Sequence, residues 1–94
     1  MTTSALANVT NTVYDFMFVE ITEPSLCDHE HVFDYLIYSP DERPVRKGSF
    51  SGPSVQLRLS LIEAGNYLFR LYLNGEALQN FCFEKKPTFA MASA

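Results

Sequence analysis

The residues best equipped for chemistry lie in one run, Cys27-Asp28-His29-Glu30-His31, with Asp34 three positions further on. In an extended segment Cys27, His29 and His31 project to one side and Asp28 and Glu30 to the other. A thiolate and two imidazoles on one side form a candidate ligand set for zinc or copper. The second Cys/His pair of a split-spacing zinc site is missing, and a polar run ahead of a strand also reads as a solvated loop. Gly48-Ser49-Phe50-Ser51-Gly52 has the glycine frame of a nucleophile elbow, but Phe50 stands where the nucleophile belongs. The four glycines are scattered singly, so no loop cradles a phosphate. These features predict a non-enzymatic protein without a cofactor.

The elements that must carry these residues belong to one small domain. The chain has 94 residues, 47% hydrophobic and 19% charged, with eight Phe, five Tyr and no Trp. A core built from so many rings at this length is adequate but thin. A formal net charge of -4 has the wrong sign for neutralising phosphates, so no nucleic acid is expected as a partner. No apolar run approaches the roughly 18 residues of a membrane helix, so no membrane span is expected. Met1 to Asn8 has neither the basic start nor the apolar stretch of an export signal, which favours a cytoplasmic chain. Asn8-Val9-Thr10 matches a glycosylation acceptor, a pattern with meaning only on a secretory route. Cys27 and Cys82 are compatible with one disulfide or two free thiols.

Short segments rich in Val, Ile, Phe, Tyr and Leu alternate with turn residues, the pattern of an all-β sandwich or barrel. Six strands are predicted, at about 13–22, 31–38, 45–50, 55–61, 66–73 and 76–85, with a seventh allowed. Polar arms are expected over 1–12 and 87–94, flanking one domain over 13–86. The second strand is apolar on both faces and therefore central in its sheet, whereas 43–51 reads as a blunted edge strand. In 55–61 every apolar residue falls on one face. Asn74-Gly75 accepts the positive φ values of a type I′ turn and closes a hairpin. Tyr67, Phe69, Leu71, Leu73, Phe81 and Phe83 then face inward.

Ahead of that hairpin, Glu63-Ala64-Gly65-Asn66-Tyr67-Leu68-Phe69 matches the tyrosine corner of immunoglobulin-like sandwiches. Gly65 supplies backbone freedom where the chain crosses between sheets, and the Tyr67 hydroxyl satisfies a backbone group upstream. The fold class expected is an immunoglobulin-like antiparallel β-sandwich of six to seven strands. From Val32 to Lys85 the sequence also resembles the carboxyl-terminal sorting domain of type IX secretion system cargo in Bacteroidetes. The resemblance is carried by Tyr35-Leu36-Ile37-Tyr38, Arg43-Pro44-Val45, the run from Val55 to Tyr67 and the hairpin around Asn74-Gly75. It implies a bacterial, exported docking or cell-surface accessory module. This chain departs from the pattern in its last strand, where basic charge appears only at Lys85 and Lys86, and in continuing from Pro87 to Ala94.

With inward faces committed to the core, function falls to the surface. Leu36, Tyr38, Leu68 and Tyr72, with Arg70 among them, lie opposite to the inward sets and form one aromatic-aliphatic patch if their strands are neighbours. The function expected is protein binding or self-association through a sheet face or edge.

Overall fold

A computed structural model describes residues 7–26 and 30–87. Among the described residues eight strands form two sheets: β1 (Ala7–Val9), β2 (Thr12–Val13), β3 (Phe16–Ile21), β4 (Val32–Tyr38), β5 (Pro44–Ser51), β6 (Ser54–Arg58), β7 (Gly65–Leu73) and β8 (Glu76–Lys85). One sheet has the order β1-β3-β6 and the other β2-β8-β7-β4-β5. Between β3 and β4 the described residues include a 3-10 turn, Pro24–Leu26. The protein is an all-β sandwich.

The sheets bury chemically different faces against each other. The five-stranded sheet contributes rings: Phe33 stacks on Phe50 at 5.4 Å, Tyr35 on Phe69 at 5.5 Å and Tyr67 on Phe83 at 5.6 Å between centroids. The three-stranded sheet answers with Met17, Val19, Ile21 and Leu57, all buried. Rings of one sheet packed against aliphatic side chains of the other fill the gap between them.

All strand pairs are antiparallel except β2 with β8, which run parallel. The arm expected over 1–12 thus contributes β1 to one sheet and the start of β2 to the other. Ala7 is buried, and Thr10 bridges the crossing by exchanging hydrogen bonds with the Phe18 backbone. A second difference lies at 55–61. β6 stops at Arg58, Leu59 is the last inward residue, and Leu61 is 96% exposed. There the Ile62 N–H donates to the Leu59 carbonyl, turning the chain toward the other sheet.

That turn ends in the expected corner. The Tyr67 hydroxyl donates to the Glu63 carbonyl at 2.7 Å, and Gly65 has φ 154°, which side-chain-bearing residues rarely adopt. Asn74 and Gly75 have φ 54° and 84°, the pair of positive values that a type I′ hairpin requires. Gly48 lies beneath the Tyr35 ring, and a Cβ there would stand 2.5 Å from the hydroxyl oxygen.

Candidate functional site

The register of β4, β7 and β8 decides what the outer face of the five-stranded sheet displays. Leu36 pairs with Arg70, Tyr38 with Leu68 and Asp34 with Tyr72, so all five patch residues expected from the sequence share one face. Each is half-buried. Lys47 on β5 and Asn80 on β8 extend the central row to Lys47-Leu36-Arg70-Asn80. Cys82 stands opposite Leu68 and Glu84 opposite Asn66.

Arg70 is held in place. Its Nε donates to Asn80 Oδ1 at 2.9 Å, and its guanidinium carbon lies 5.2 Å from the centre of the Tyr38 ring, in cation–π geometry. Hydrogen bonding with Tyr38, then with Arg70, holds the Tyr72 hydroxyl below the ordinary tyrosine range. The same bond to Tyr72, with desolvation second, raises Tyr38. Arg70 is raised as well, first by its hydrogen bond to Tyr72. Among the described residues no carboxylate pairs with Arg70. Its charge is steadied by two phenols and an amide and remains available to a ligand.

Two open grooves flank this cluster. One, of about 800 Å³, runs over Tyr38, Leu68, Arg70 and Cys82 and is walled by the turn after β4 and by Glu84. In that turn Ser39 Oγ donates to Asp41, and Asp41 pairs with Arg43 at 3.3 Å. The other groove, of about 610 Å³, lies over Leu36, Lys47, Ser49 and Tyr72. Ser49 Oγ donates to Asp34 Oδ1 at 2.6 Å. The arrangement offers apolar contact, hydroxyl donors and one oriented cation.

The β5 edge of this sheet is less inviting. β5 is an edge strand, but it begins at Pro44 and turns Arg46 inward, where Nη1 donates to the Arg58 carbonyl of the other sheet at 2.6 Å. Proline and an inward cation are devices that block pairing with a further strand.

Of the metal ligands expected, Cys27 and His29 lie outside the described residues, and His31 is half-buried just ahead of β4. Among the described residues no group of three His, Cys, Asp or Glu side chains is disposed to hold a metal. Cys82 is an exposed free thiol. Gly65, Tyr67, Asn74 and Gly75 occupy the corner and the hairpin, from which Tyr67 lines the first groove and Gly75 the second. The sequence reading missed Lys47, Asn66 and the turn wall; period-two alternation along β7 from Arg70 reaches Asn66, whereas Lys47 joins the face only through the register of β5 with β4. Comparison with models of protein families and with curated proteins found no match to this sequence. No helix among the described residues is long and apolar enough to cross a membrane.

Proposed function

We propose that this chain is a non-catalytic interaction module of the immunoglobulin-like type that binds protein through the outer face of its five-stranded sheet. Three features support the immunoglobulin-like reading: the strand order, the switch of sheet between β1 and β2, and the Tyr67 to Glu63 hydrogen bond. The observation that carries the function is the convergence of Leu36, Tyr38, Leu68, Arg70 and Tyr72 between two grooves. Tyr and Arg held rigidly on a half-buried surface lose little side-chain freedom on docking, which is why they recur as energetic centres of interfaces. The protected β5 edge favours the face over strand addition there.

The test compares proteins recovered from native cells by the wild type, by Leu36→Asp, by Arg70→Glu and by Leu61→Asp, a control in the turn after β6. The face variants should lose about tenfold of what the wild type and the control both retain. Equal recovery by all four overturns the reading.

A second reading, a sorting or cell-surface accessory domain, draws on the Leu61 to Tyr67 stretch, whose corner geometry the resemblance shares. It predicts that native chains are recovered from the envelope or medium, and a purely cytosolic location refutes it.

A further inference from the structure

The second sheet has an open face that the proposed function does not use. On β3, Met17, Val19 and Ile21 are buried, while Phe16 and Phe18 point outward and stay 43% and 56% exposed. β3 is the middle strand of its sheet, so these rings occupy the centre of that face. Two adjacent exposed phenylalanines at the centre of a sheet mark a contact surface.

Charge on this face is sorted by height along the strands. Arg58 of β6 pairs with Phe16, whereas Glu20 lies two positions beyond Phe18, beside Ser54. Cation and carboxylate thus bracket the rings from opposite ends, separated by about 13 Å along the strand direction, too far for an ion pair within one molecule. Among the described residues neither has a charged partner, and Arg58 Nε reaches only Ser60 Oγ at 3.4 Å.

We propose that this face is a homodimer interface, with β3 of a second copy lying antiparallel over the first and Phe18 meeting Phe18 at the two-fold axis. Such an axis crosses β3 in the plane of the contact, keeps each strand above its counterpart and reverses direction along it. Arg58 of each copy then comes level with Glu20 of the other, one strand across and about 10 Å away between backbones, within reach of two long side chains. An apolar centre gains two ion pairs at its rim. A partner of single charge sign meets repulsion at one end of the strip, whereas a second copy meets attraction at both. Three strands make a small contact, so the dimer is weak and depends on concentration.

Sedimentation equilibrium of the whole chain at low salt, from about 20 μM to about 1 mM, reads the association directly. The mean mass should rise toward the dimer, and Phe18→Ser, Arg58→Glu and Glu20→Arg should each weaken association by about tenfold or more. The double reversal Arg58→Glu with Glu20→Arg should restore it to within about threefold of the wild type, because the pairs reform with signs exchanged. All these side chains are exposed, so the variants fold, which thermal melts verify. In a Cys27→Ser background, Cys82 on the opposite face should react with maleimide equally at all concentrations. A monomer at the top concentration, a double reversal as weak as its single parents, or protection of Cys82 on association overturns the proposal. None of these results bears on the recovery experiment at Leu36 and Arg70.

Discussion

Removing one oxygen atom from Tyr67 tests the joint between the two sheets. The Tyr67 hydroxyl donates to the Glu63 carbonyl at 2.7 Å, and its ring is buried against Phe83. Tyr67→Phe keeps the ring and deletes the bond. A net intramolecular hydrogen bond contributes about 0.5–1.5 kcal/mol, and an acceptor left dry adds about 1–3 kcal/mol. Glu63 is exposed, so water reaches its carbonyl once the hydroxyl is gone. The expected loss is therefore about 1–1.5 kcal/mol, or about 5–10 °C in Tm for a domain of this size. Urea titration with unchanged m-value measures it, and Tyr67→Leu, which also removes the ring, should cost at least about 2 kcal/mol more. A loss under about 0.3 kcal/mol for Tyr67→Phe refutes the reasoning. Alkaline pH supplies an independent check. Burial, followed by the Glu63 carboxylate, raises Tyr67 above the ordinary tyrosine value of 10.0. The folded protein thus holds a proton that the unfolded chain releases. The contribution is complete below pH 10, falls as pH rises from there toward the raised native value, and is absent in Tyr67→Phe. The stability gap between wild type and variant should narrow above pH 10, and a widening gap contradicts the assignment.

Two further substitutions probe the glycines that the fold uses. Gly48→Ala brings a Cβ to 2.5 Å from the Tyr35 hydroxyl oxygen and 2.7 Å from Cζ, beneath a ring already stacked on Phe69. The expected cost is about 1–3 kcal/mol, and it should vanish in a Tyr35→Leu background when the cycle is measured by urea titration. Gly75→Ala meets open space but keeps φ 84°, so backbone strain alone should destabilise by about 1–2 kcal/mol, and any gain in Tm runs against the turn assignment.

Much of this architecture is written locally. Asn74-Gly75 and the Glu63 to Tyr67 spacing each specify a backbone geometry through neighbouring residues, and both form as expected. The patch was legible because β4 and β7 alternate cleanly, and only their adjacency had to be supplied by the fold. The rest depends on distant partners. β1 and β2 are three and two residues long, too short to show a period, and exist because β3 and β8 receive them. β3 is apolar on both faces, which in sequence reads as burial on both. A three-stranded sheet with none of the described elements over its outer side leaves Phe16 and Phe18 exposed. Leu61 continues an alternating pattern whose strand has already ended, because the corner claims those residues first.

The parallel pairing of β2 with β8 has a mechanical meaning. Glu84 N–H donates to the Asn11 carbonyl at 2.9 Å and Lys86 N–H to the Val13 carbonyl at 2.7 Å. Tension carried along the chain draws β2 toward its own beginning and β8 toward its own end. Two strands running the same way then slide lengthwise, and their bonds share the load together, whereas those of a hairpin break in succession from the open end. A two-residue strand thus serves as a clamp, and stretching the molecule must shear it before the sheets can come apart.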